Sequence, residues 1–127
     1  MNFSTAFYVL FLLGLSCNPA KKAQTEPTLE KIMSEKITNP QVDYNTAQDF
    51  ILCQEKASST QAGILKYIII RVSDKKILQE GYFRPGYIKW VHDYEIEIFN
   101  APGVIRDHET LEKYKKTIFV RTLQSIP

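Results

Sequence analysis

Apolar and polar positions change period along this chain, and the changes predict its elements. An uncharged apolar run, residues 3–15 (FSTAFYVLFLLGL), ends at Ser16-Cys17 and meets Asn18-Pro19. It falls short of the about 20 residues that a membrane span needs. Residues 18–27 (NPAKKAQTEP) hold two prolines and no large apolar side chain, which describes an extended tether. Within 28–37, Leu29, Ile32, Met33 and Ile37 recur at helical spacing behind Thr28, a good N-cap, and Asn39-Pro40 stops the pattern. This predicts a short amphipathic helix, too short to persist unless it docks.

Downstream the period shortens to two. Residues 49–56 (DFILCQEK) are rich in bulky side chains, and the polar run 58–63 reads as a loop. In 64–72 (ILKYIIIRV), Ile68, Ile70 and Val72 share one face while Tyr67 and Ile69 occupy the other. A strand apolar on both faces belongs in the interior of a covered sheet. The polar turn 73–76 leads into a strand over 77–83, so these two strands form a hairpin. Arg84-Pro85-Gly86 then predicts a bend or bulge, because proline removes a ladder donor. Extended segments follow over 87–91 and 94–99, turned at His92-Asp93, and in the second Tyr94, Ile96 and Ile98 alternate with Glu95 and Glu97 as on a sheet with one wet face. Residues 106–116 read as a loop or one helical turn, and 117–123 (TIFVRTL) as a last strand.

About six short strands with tight local connections imply a mainly β domain, a small antiparallel meander sheet or open barrel. The alternative is α+β, with a helix over 28–37 or through 43–56 packed on the sheet. The stretch 66–103, with strand, polar turn, strand, a Trp-x-x-Asp step at Trp90 and Asp93, and another strand, is similar to a single blade of a β-propeller. No internal repeat is present to close one, so the similarity implies local geometry alone.

The ending Gly14-Leu15-Ser16-Cys17, behind that apolar run, resembles the lipobox that signal peptidase II reads in bacterial lipoprotein precursors. Gly14 stands where Leu is usual, and no Lys or Arg precedes the run. The resemblance covers about seventeen residues, and it implies cleavage after Ser16, a diacylglyceryl thioether on Cys17 and a fatty acyl chain such as palmitate on the new amine. It thus divides the chain into a signal peptide (1–16), a tether with the candidate helix (17–40) and a small β domain (41–127), lipid-anchored in the bacterial cell envelope on the outer-membrane or periplasmic side. An ordinary secreted protein, with a Cys17 to Cys53 disulfide, and an uncleaved anchor are the alternatives. With Cys17 lipidated, Cys53 is left as an odd thiol, best tolerated as a buried small hydrophobe.

Of the 127 residues, sixteen are Lys or Arg and fourteen Asp or Glu, giving a net charge of +2. So even a balance carries no nucleic-acid footprint. Lys21-Lys22, beside the lipid site, would contribute about 1 kcal/mol each on anionic head groups, or belong to a solvated linker. Candidate chemistry is sparse. His92 and His108 each adjoin an aspartate, Asp93 and Asp107, and read first as polar turn residues. No metal-ligand spacing, Gly-rich phosphate loop, nucleophile elbow or paired-carboxylate signature is present, so no metal or other cofactor and no catalytic residue is assigned. Glu95 and Glu97 share a face by solvent alternation.

One patch stands out. Tyr82, Phe83, Arg84, Tyr87 and Trp90 gather around Pro85-Gly86, and such residues serve equally as binding hot spots and as core. These features predict a membrane-tethered, non-catalytic binding or accessory module with an envelope protein as partner and the aromatic bend or a sheet edge as contact. A small envelope enzyme or enzyme inhibitor using Asp93, His92 and His108 is the second reading. A structural subunit of an envelope complex is the third.

Overall fold

A computed structural model of the chain describes residues 26–57 and 63–126. The apolar run, Cys17 and the tether up to residue 25 lie outside the described residues. Thr28 caps helix α1 (Leu29–Lys36), its Oγ1 accepting from the Lys31 N–H at 3.3 Å, and Glu30 and Lys36 suit the helix dipole at either end. Four antiparallel strands follow in sequence order in one sheet, β1 (Pro40–Tyr44), β2 (Phe50–Glu55), β3 (Leu65–Arg71) and β4 (Lys76–Phe83). The chain then changes sheet, and β5 (Gly86–His92), β6 (Glu95–Asn100) and β7 (Lys115–Phe119) form a second antiparallel meander. The described residues are thus mainly β, seven strands in two open sheets with one packed helix.

Strand alternation sorts the core into two layers. Phe50, Leu52, Leu65, Tyr67, Ile69, Leu78 and Phe83 from the first sheet meet Ile88, Ile96, Ile98, Ile118 and Val120 from the second. On the other face of the first sheet, Ile51, Cys53, Ile68 and Ile70 pack under Met33 and Ile37 of the α1 segment. This explains why β3 is apolar on both faces, since it lies between β2 and β4 with a sheet above it and a helix below. A bulge at Leu78, where Ile69 pairs with Gln79 and Ile70 with Ile77, turns Leu78 toward the inter-sheet core.

Three local expectations change. Residues 43–56 are strand, turn and strand rather than helix, because β1 pairs with β2 from Pro40 opposite Glu55 to Tyr44 opposite Ile51. β1 is therefore a seventh strand. The final strand begins earlier, at Lys115, and stops at Phe119, since its partner β6 runs out at Glu95. Residues Val120–Thr122 coil into a 3-10 turn, and the Val120 N–H donates to the Tyr94 carbonyl at 3.0 Å.

Antiparallel pairing gives the sandwich two distinct ends. The turn end carries the β1–β2 turn, the β3–β4 turn, the β5–β6 turn and the C-terminal tail, whose Ile126 N–H donates to the Ile77 carbonyl at 3.0 Å. Glu26, where the described chain enters, pairs with Lys75 of the β3–β4 turn at 3.6 Å. The loop end carries the β2–β3 connection, the Arg84-Pro85 bend and the long β6–β7 loop with its 3-10 turn at Leu111–Tyr114.

Candidate functional site

The bend after β4 is braced on both sides. The Arg84 N–H donates to Asn100 Oδ1 at 2.9 Å, and the Ala101 N–H donates to the Pro85 carbonyl at 2.9 Å. Gly86 sits so close to β6 that a Cβ there would lie 2.0 Å from the Phe99 carbonyl oxygen, a contact only glycine avoids. Neighbouring side chains are consequently held in fixed and divergent directions.

Phe83 is 3% exposed and enters the inter-sheet core, tilted against Tyr67 with ring centroids 6.4 Å apart. Tyr82, its neighbour on an edge strand, points the other way and is 67% exposed. Tyr87 stands on the outer face of the second sheet, donates its O–H to Glu97, stacks on Phe99 at 5.3 Å and lies under the Lys89 ammonium at 4.6 Å. The hydrogen-bonded Glu97 carboxylate, with some help from burial, raises the Tyr87 phenol above its ordinary pKa. Trp90 packs against the inter-sheet core and donates its indole N–H to the Asp43 carbonyl at 3.0 Å. Of the five aromatic-bend residues, Tyr82, Phe83 and Arg84 are brought together, while Tyr87 and Trp90 face elsewhere.

Tyr82 and Arg84 form one wall of an open depression of about 400 Å³ at the loop end. Ile64, 62% exposed, completes that wall, and residues 100–102 with Tyr114 form the other. Phe83 is its buried floor. Tyr114 is fixed by donating its O–H to Glu109 Oε2 at 2.8 Å, and Glu109 also pairs with Lys113 at 2.7 Å. Those two partners hold the Glu109 carboxyl below the usual carboxylate range. The sequence pattern singles out none of Ile64, Pro102 and Tyr114 as a contact residue: Ile64 reads as the start of a strand that begins one residue later, at Leu65, and Pro102 and Tyr114 come from a loop and a turn without periodicity.

At the turn end a second, more polar cleft of about 510 Å³ lies among Tyr44, Thr46, Trp90, His92, Asp93 and Glu95. Beneath it Asn45, 3% exposed, ties the turns together. Its Oδ1 accepts from the N–H groups of Asp49 and Phe50 at 3.0 and 2.9 Å, and its amide donates to Asp49 Oδ1 and, at 3.0 Å, to the Asp93 carbonyl. Every polar atom of this buried side chain is engaged internally, so Asn45 positions the turns and has nothing left for a ligand. His92 closes β5 beside this cleft, whereas His108 lies in the β6–β7 loop at the opposite end with φ 78°, so the two histidines are not brought together.

Cys53 is a fully buried free thiol under the helix. Burial, with a smaller contribution from the Asp43 carboxylate, pushes it up to about 11. At neutral pH it is therefore a packed apolar group rather than a nucleophile. Among the described residues no three His, Cys, Asp or Glu side chains are grouped to hold a metal ion, and no helix is long and apolar enough to cross a membrane. Comparison of the chain with protein-family models, with curated proteins and with solved structures finds no match.

Proposed function

We propose that the chain is a precursor of a lipid-anchored, non-catalytic module of the bacterial envelope, tethered through Cys17 and using its loop end to capture a protein partner. The observation that carries this reading is the separation of the two ends. Glu26, at the end of the tether, is paired with Lys75 at the turn end, while the exposed Ile64, Tyr82 and Arg84 surround a depression at the loop end. Cys17 precedes Glu26 by nine residues, which span at most about 30 Å when extended. A domain held at that distance by its turn end presents the loop end away from the bilayer. A binding role is favoured over acid–base chemistry by the placement of His92 and His108 at opposite ends.

The test is crosslinking in membranes of cells that make the full chain, with a photoreactive amino acid at Tyr82 in one sample and at Thr46 in another. Partner adducts from position 82 and few from position 46 are expected. Equal or reversed yields would overturn the assignment of the loop end. Tyr82→Ala should leave thermal unfolding unchanged, because Tyr82 is exposed, whereas Trp90→Ala should destabilise the fold by about 3 kcal/mol.

A further inference from the structure

We infer that the loop-end depression takes an acidic polypeptide segment bearing an aliphatic or aromatic side chain. This rests on the proposal that the loop end is the contact surface, and adds the chemistry of what it contacts. All carboxylate side chains of the chain lie within the described residues, so the cations that they leave unpaired can be identified. At the loop end Glu109 and Glu112 are engaged by Lys113 and Lys115, each at 2.7 Å. Lys56, Lys66, Arg84 and Arg106 enter no ion pair among the described residues. The remaining carboxylates at that end are Glu55, which accepts from the Lys66 N–H at 3.3 Å, and Asp107.

The turn end is close to balance, with Glu26, Asp49, Asp74, Asp93 and Glu95 against Arg71, Lys75, Lys76 and Arg121, and only Asp93 and Glu95 of these line the polar cleft. Positive charge without an ion-pair partner among the described residues therefore gathers at the loop end, on Lys56, Lys66, Arg84 and Arg106. Complementary potential steers encounter and rejects like-charged partners, while the apolar depression supplies the buried contact that holds one. Arg84 unites both features. Its backbone is pinned to Asn100 at 2.9 Å, it lines the depression, and its guanidinium is a fork suited to a carboxylate. An apolar side chain seated over Phe83 between Ile64, Tyr82 and Pro102 would bring carboxylates flanking it within reach of Arg84 and Lys66.

The test uses the purified lipidated chain in detergent and three short fluorescent peptides: acidic residues around a central Leu-Phe, basic residues around the same pair, and acidic residues alone. Only the first should bind well, with affinity falling as salt is added and falling about tenfold or more in a Lys66→Glu, Arg84→Glu variant. Arg84→Lys, which keeps the charge and loses the fork, should weaken binding by less than the charge reversal does, and a circular dichroism melt checks that each variant is folded. Equal binding of acidic and basic peptides, or no effect of charge reversal, would overturn the inference. If this occurs while Tyr82 still crosslinks a partner in cells, the contact surface stands and only its acidic specificity falls. If neither peptide binding nor crosslinking is seen, both fall. Vesicles of phosphatidylglycerol that compete as well as the acidic apolar peptide would make the partner a membrane and overturn the peptide assignment.

Discussion

Asn45 is the residue on which the turn end depends. A side chain able to accept from two backbone N–H groups and donate to both a carboxylate and a carbonyl cannot be replaced by a smaller one without stranding them. Asn45→Ala should lower stability by about 2 to 3 kcal/mol in urea unfolding, the cost of leaving buried backbone donors unpaired. An unchanged midpoint would mean that water replaces it. Cys53 supports a second expectation with a defined sign. In the unfolded chain the thiol ionises near its ordinary value of 9.0, but burial keeps it protonated in the fold up to about 11. The native state thus holds a proton that the unfolded state loses within that window. The resulting stabilisation is present in full below pH 9 and is lost as the pH rises toward about 11. The stability difference between the parent chain and Cys53→Ala should accordingly shrink across the same window, and a difference independent of pH would contradict it.

At the level of elements, α1 is held by packing rather than by its length, with Met33 and the C-cap Ile37 buried on the sheet and Leu29 and Ile32 packed beside them. Met33→Ala, which empties the contact over Ile51, Cys53 and Ile68, should cost about 2 to 4 kcal/mol and expose amides of the helix to hydrogen exchange before those of β3. Equal exchange of both would mean that the helix and sheet open as one unit. The helix and the strands β2 to β6 were legible in the sequence because each carries a period: Leu29, Ile32, Met33 and Ile37 for the helix, both faces of residues 64–72 for β3, and the alternation from Tyr94 to Ile98 for β6. β1 was not, since PQVDY is an edge strand in which Gln41 and Asp43 face polar groups such as Gln54, and Val42 and Tyr44 remain exposed. Nor was the end of β7 visible. TIFVRTL has strand composition throughout, but a strand ends where its partner ends. The aromatic bend was legible as a cluster in sequence. Its partition was not, because the bend at Arg84-Pro85 and the alternation on β4 send neighbouring rings to different surfaces.

For the whole molecule, the proposed function rests on the difference between its two ends. Under that proposal, chain entry at Glu26 on the turn end, a cleft lined by Asp93 and Glu95 there, and an apolar depression beside Arg84 at the loop end suit a domain held on a surface and facing outward. All of this depends on an anchor at Cys17. The most direct measurement is the intact mass and detergent partitioning of the protein made in a bacterial host, with and without an inhibitor of signal peptidase II. Loss of residues 1–16 with a gain of acyl mass, partition into detergent, and accumulation of the uncleaved form under the inhibitor are expected. A water-soluble product without acyl mass, beginning at another residue and indifferent to the inhibitor, would contradict the tethered reading and make the turn end an open surface.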